Sequence, residues 1–113
     1  MQGLSISISN DITGRSSGSG AAASLLLDTY PSAGFAYSFR TLRAAYSGNN
    51  IRARESSGST EQNIGFASGV LDSSSLLTFT GSNDGLVPII YDQSTNANNL
   101  TQTIASEQLQ IVD

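Results

Sequence analysis

From Ser5 to Ser9 the chain alternates polar and apolar residues (Ser5, Ile6, Ser7, Ile8, Ser9), the period of a half-buried strand. Gly14-Arg15-Ser16-Ser17-Gly18-Ser19-Gly20 follows, a composition typical of flexible tethers. Residues 1–24 therefore read as an N-terminal arm and residues 25–113 as the folded domain. Two readings of the arm stay open. It is either a strand that adds to a partner's sheet through Ser5, Ile6, Ser7, Ile8 and Ser9, or the domain's own first strand followed by a long loop.

Beyond the arm the period changes. Pro31 suits a first helical turn, and Phe35, Phe39, Leu42 and Tyr46 recur at steps of four, three and four, one stripe of an amphipathic helix. Gly48 then stands where a helix would end. Ile51 to Glu55 returns to period two, with Arg52 and Arg54 on one face. Ser57-Gly58-Ser59 is a turn, and Glu61 to Phe66 reads as the returning strand of a hairpin. Leu71 to Phe79 predicts a short helix capped by Asp72 or Ser73 and stopped by Gly81. Leu86 to Tyr91 is the most apolar run, a buried strand in which Pro88 requires a bulge or an edge. Asp92 to Asn96 is turn chemistry; Leu100–Ile104 and Leu109–Val112 are weaker strands. The sum is a mostly β domain with two short helices. Ending at Asp113 inside a strand-like run, the chain reads as part of a longer gene product.

Composition narrows the chemistry. Hydrophobic residues are 38% and charged residues 12% of the 113, both below the usual shares. What replaces them is Ser, Thr, Asn, Gln and Gly, a mix suited to an extracellular or particle-associated β protein. The five basic residues, all arginine, against nine acids give a net charge of -4. That balance opposes general nucleic-acid binding, which needs a basic footprint. Arg40, Arg43, Arg52 and Arg54 are read as solvated or paired with acids such as Glu55 and Glu61, with a specific anion or glycan contact as the alternative. With no cysteine and no histidine, disulfides, thiolate metal sites and His-dependent nucleophiles are excluded. No run approaches the ~20 apolar residues of a membrane-spanning helix, so membrane insertion is not expected, and the N-terminus lacks the features of a signal peptide. Cleavage of a glycoside needs two facing carboxyl groups, whereas Asp28, Glu55, Glu61, Asp72, Asp84, Asp92 and Glu107 are scattered singly. Asp92 is read as a turn acceptor. A calcium site built from Asn83, Asp84 and Asp92 lacks any recognisable loop spacing, so no metal and no cofactor is expected.

Two segments carry a resemblance. One runs Ala36-Tyr37-Ser38-Phe39-Arg40-Thr41-Leu42-Arg43-Ala44-Ala45-Tyr46-Ser47-Gly48 and continues Ile51-Arg52-Ala53-Arg54-Glu55-Ser56. The other is Val87-Pro88-Ile89-Ile90-Tyr91-Asp92-Gln93-Ser94, followed by Asn98-Asn99-Leu100-Thr101-Gln102. Over about residues 25–112 the chain resembles the N-terminal part of arabinofuranosidase B-type catalytic domains. It resembles more closely still a group of phage and environmental virion proteins with a concanavalin A-like (LamG-like) jelly roll. The resemblance implies part of a two-sheet jelly-roll β-sandwich. It carries no catalytic residue over, because the catalytic carboxylates of those enzymes lie beyond the Tyr-Asp-Gln-Ser segment, and their cysteines are missing here.

The expectation is therefore a non-catalytic bacteriophage virion protein, not an enzyme: a tail, fibre or capsid-surface component located in the particle or outside the cell. Its partners would be other virion proteins and copies of itself, with host-surface glycan as a further candidate. The rival readings are a lectin-type carbohydrate-binding module, with Tyr30, Tyr37, Tyr46 and Tyr91 as candidate contacts, and a fragment of an arabinofuranosidase-like hydrolase.

Overall fold

Ile51, Ala53 and Ile64 are almost completely buried, and they explain where the sheet forms. Each sits on the apolar face of an alternating segment, so pairing the two segments puts all three on one side. The computed structural model describes residues 24–113; the Ser5–Ser9 strand and the Gly14–Gly20 tether lie outside them. Within that range β1 (Ile51–Glu55) pairs antiparallel with β2 (Glu61–Ile64), with Ile51 opposite Ile64 and Arg54 opposite Glu61. The predicted hairpin is present. Arg52 reaches Glu61 diagonally at 3.5 Å on the polar face, a contact worth about 0–1 kcal/mol at that exposure.

The apolar run forms β5 (Gly85–Ile90), which pairs with the other edge of β1. Arg52 is opposite Ile89 and Arg54 opposite Leu86, so Val87 and Pro88 together face the single residue Ala53. That two-against-one bulge is the site Pro88 requires, because a proline has no N–H for the ladder. On its far side β5 pairs with β6 (Leu100–Thr101) and β7 (Leu109–Val112), joined through a 3-10 turn at Ala105–Glu107. The strand order is β2-β1-β5-β6, with β7 also on β5.

Helix α2 (Ser73–Thr80) lies on β1 and β2 and buries Leu76 against Ile51, Ala53, Ile64 and Val87. Its boundaries follow the sequence. Asp72 is the N-cap and accepts from the Ser75 N–H at 3.0 Å. Gly81 terminates it at φ 62°, a backbone setting that a side chain resists.

Three expectations fail. The helix expected from Pro31 to Tyr46 does not form; the segment is irregular, Phe35 is 63% exposed and Phe39 43%. The helical stripe is real in sequence, but residues 36–42 find long-range hydrogen-bond partners instead of each other. The second short helix is α1 (Leu26–Thr29), a single turn that had no periodic signal. The strand expected through Phe66 ends at Ile64, and a ribbon follows: β3 (Phe66–Ala67) pairs with β4 (Val70–Leu71). Its turn residues Ser68 and Gly69 have φ of 53° and 81°, the left-handed pair of a tight hairpin turn. The described elements are thus one five-stranded antiparallel sheet, one ribbon and two short helices. The chain is mostly β as expected, but the two stacked sheets of a jelly roll are not formed among the described residues.

Candidate functional site

Directly after β5 the chain enters Asp92-Gln93-Ser94, three polar residues that are 3%, 0% and 6% exposed. β5 delivers them beneath the irregular segment 33–44, and they supply what a helix would have supplied there. Gln93 Oε1 accepts the Leu42 N–H at 2.8 Å, and its Nε2 donates to the Ser38 and Arg40 carbonyls at 3.1 and 2.8 Å. Its backbone N–H donates to the Ala36 carbonyl, and its carbonyl accepts from Arg43 Nε. Asn50 Nδ2 adds a second bond to the Ser38 carbonyl. Backbone polar groups withheld from water need such partners, and here side chains some 50 positions away provide them.

Asp92 is fully engaged. Oδ1 accepts the Ala36 and Ser94 N–H groups at 2.8 Å each; Oδ2 accepts the Asn98 N–H at 2.8 Å and the Ser94 hydroxyl at 2.6 Å. Burial acts to raise its pKa, but the bonds from Ser94, Asn98 and Ala36 outweigh it and hold the carboxyl below its ordinary value. The Asp72 carboxyl is also held low, chiefly by the Ser75 hydroxyl and then by the Ser75 N–H. Both stay ionised acceptors. A group that must donate a proton to a leaving group needs its pKa raised instead, so neither suits that task. Asp92 has the turn-acceptor role read from the sequence.

The Glu55 and Asp84 loops do meet. Glu55 ends β1 opposite Gly85, the Ser56 N–H donates to the Asp84 carbonyl at 2.9 Å, and the Asp84 N–H returns to Ser56 Oγ at 3.1 Å. Asn83 Nδ2 donates to Glu55 Oε2 at 2.9 Å. The scatter of acids along the chain hid this juxtaposition, since the register that makes it is a long-range property. Asp92 lies at the opposite end of β5 from Asp84, so the Asn83, Asp84 and Asp92 calcium set is not brought together. Among the described residues no group of three metal-ligating side chains forms.

Between β2 and α2 runs an open cleft of about 380 Å³ lined by Gln62, Ser74, Ser75, Thr78 and Phe79. The lining is neutral: hydroxyls, one amide and one aromatic ring. Thr78 and Phe79 are in the last turn of α2, and Asn83 and Asp84 follow that turn. Hydroxyl and amide groups beside an aromatic face suit a neutral polyol.

The four tyrosines differ in their contacts. Tyr30 is 66% exposed. Tyr37 stacks on Phe35 with ring centroids 5.5 Å apart and donates to the Asn98 carbonyl. Tyr46 packs edge-on against Phe66 and donates to the Asn49 carbonyl at 2.8 Å. Its pKa is pushed up by burial first and then by Tyr91 and Asp92, against Arg43 beside its ring. Tyr91 donates to Asn63 Oδ1 at 2.7 Å. Arg54 is held by Gln108 Oε1 and the Gly58 and Ala105 carbonyls. The proposed partner contacts Ser5, Ile6, Ser7, Ile8 and Ser9 lie outside the described residues.

A family model, alpha-L-arabinofuranosidase B, catalytic, matches residues 28–111. Searches of curated proteins and of solved structures returned no match. The family match supports the arabinofuranosidase part of the resemblance and says nothing of virion proteins or LamG-like domains. It overturns the expectation that the chain is not an enzyme, because the matching unit is a glycoside hydrolase catalytic domain. That expectation rested on acids that lie singly along the sequence and on catalytic carboxylates that the resemblance places beyond the Tyr91-Asp92-Gln93-Ser94 segment. The missing histidine and cysteine carry no weight against glycoside cleavage, which runs on carboxyl groups.

Proposed function

The chain belongs to the alpha-L-arabinofuranosidase B catalytic family, and from that premise we propose that it acts on arabinofuranosyl glycans as a glycoside hydrolase unit. The match over residues 28–111 carries the proposal. The neutral cleft between β2 and α2 supports it: Gln62, Ser74 and Thr78 offer donors and acceptors to sugar hydroxyls, and Phe79 offers an apolar wall. Cleavage requires one carboxyl that protonates the leaving oxygen and a second that acts as nucleophile or as base toward water. Asp72 and Asp92 are already engaged as acceptors, by the Ser75 N–H and hydroxyl and by Ala36, Ser94 and Asn98, which disfavours them as proton donors. Glu55 and Asp84, at neighbouring strand ends, are the acids on which turnover is tested.

The experiment has two arms. Hydrolysis of 4-nitrophenyl α-L-arabinofuranoside is measured with the chain and with Glu55→Gln and Asp84→Asn. Binding of an arabinofuranosyl oligosaccharide is followed by titration calorimetry with the chain and with Gln62→Ala and Thr78→Ala. Losing one neutral hydrogen bond, about 0.5–1.5 kcal/mol, weakens binding roughly 2–12-fold. Turnover removed by either acid substitution supports the reading. Neither turnover nor binding would overturn it.

A further inference from the structure

Helix α2 covers only half of the sheet. It packs on β1 and β2, and among the described residues the same face continues across the ladder without a cover. Ile51 is opposite Ile90, Ile90 is opposite Leu100, and Val87 is opposite Leu109. Directly paired residues point to the same side of a sheet, so Leu100 and Leu109 lie on the face where Ile51 is buried. Yet Leu100 is 48% and Leu109 56% exposed. Between them a shallow cavity of about 200 Å³ opens over Val87, Pro88 and Ile90. An apolar sheet face beside a covered one is a surface that lacks its second layer.

We infer that the chain's own N-terminal segment, Leu4 to Ile12, covers this open half of the sheet in cis. Leu4, Ile6, Ile8 and Ile12 fall on alternate positions interrupted by Asn10, and Ser5, Ser7, Ser9 and Asp11 on the others. In an extended conformation one edge of the segment would therefore be mostly apolar and the other polar. Its apolar side matches a face carrying Val87, Ile90, Leu100 and Leu109; its polar side suits water. The connection is long enough. Residues 13–23 span up to about 36 Å when extended, more than the roughly 30 Å diameter expected of a 90-residue domain. The Gly/Ser composition of residues 14–20 imposes no direction on it. The inference is independent of the glycan reading, because the cleft at Gln62 and the open face over β5 to β7 use different residues.

The chain has no cysteine, so a single introduced thiol reports coverage. Leu109→Cys is placed in the full chain, and its rate of maleimide labelling is compared with the same protein carrying Ile6→Asp and Ile8→Asp. A control carries Ser5→Asp and Ser7→Asp. Coverage for about 90% of the time slows labelling about tenfold. The Ile substitutions should restore fast labelling and the Ser substitutions should not, at every protein concentration. Equal rates in all three proteins would overturn the inference. Protection that grows with protein concentration would also overturn it, because the segment would then be covering a second copy.

Discussion

Replacing Gln93 by Ala should destabilise the domain by about 2–4 kcal/mol, and the size follows from which groups lose their partners. Three side-chain bonds are removed, to the Leu42 N–H and to the Ser38 and Arg40 carbonyls. The Ser38 carbonyl keeps Asn50 Nδ2, so two groups are stranded, at about 1–3 kcal/mol each. Segment 38–42 is only partly covered and water can reach it, which favours the lower part of that range. Gln93→Glu separates hydrogen bonding from packing. It keeps an acceptor for the Leu42 N–H but turns a carboxylate oxygen toward two carbonyls. The buried carboxyl therefore has a folded pKa above its unfolded value of about 4.3. Its stabilising contribution is complete below that unfolded value and is lost as pH rises through the folded one. Urea unfolding followed by far-ultraviolet circular dichroism at pH 5 and pH 7 reads both effects. Gln93→Ala should have a lower midpoint at both pH values, whereas Gln93→Glu should recover part of its loss on going from pH 7 to pH 5. A Gln93→Ala midpoint corresponding to less than about 0.5 kcal/mol, the size of an ordinary surface substitution, would refute the role assigned to Gln93.

Leu76→Ala, at a 3% exposed core position, should cost about 2–5 kcal/mol by the same measurement, whereas Phe39→Ala, at 43% exposure, should cost about 1 kcal/mol or less. Gly81→Ala should cost about 1–2 kcal/mol, because φ there is 62° although nothing lies within 4 Å of an added Cβ. Asp92 and Asp72 are held below their ordinary pKa, so their contribution is present above the unfolded carboxyl value of about 3.9 and is lost as pH falls through the folded values. The thermal midpoint should therefore drop on acidification below about pH 4, and Asp92→Asn should be less stable at pH 7 and show a shallower acid drop.

Local signals in the sequence located the hairpin, the capped helix α2, the bulged strand around Pro88 and the turn role of Asp92. Each depends on neighbours a few residues away: alternation at Ile51–Glu55, a cap and a stop at Asp72 and Gly81, a missing N–H at Pro88. The failures depend on distance. Phe35, Phe39, Leu42 and Tyr46 have helical spacing, but Gln93 and Asp92 compete for the same backbone groups from some 50 positions away. The signal available was the polar triplet Asp92-Gln93-Ser94 immediately after the most apolar run, where no glycine eases a turn and buried polar groups demand partners. The meeting of the Glu55 and Asp84 loops depends on the register of β1 against β5. The family relation was legible in Tyr91-Asp92-Gln93-Ser94, while its catalytic meaning was discounted because the acids lie singly along the sequence.

The Gln93 bonds also set an order of events in folding. The β1–β2 hairpin closes over a handful of residues, and α2 can form its own turns as it meets the hairpin. Segment 36–42 cannot be ordered so early, because its partners at positions 92 and 93 arrive only after β5 has docked on β1. Closing such a long loop carries an entropic cost that local contacts avoid. The segment beneath which Gln93 sits should thus be a late-forming region with low φ-values. Substitutions at Gln93 or Asp92 should then act mainly by accelerating unfolding and leave the refolding rate nearly unchanged. In this domain the buried polar pair Asp92 and Gln93 governs how long the native state persists, and the β1–β2 hairpin governs how fast it is reached.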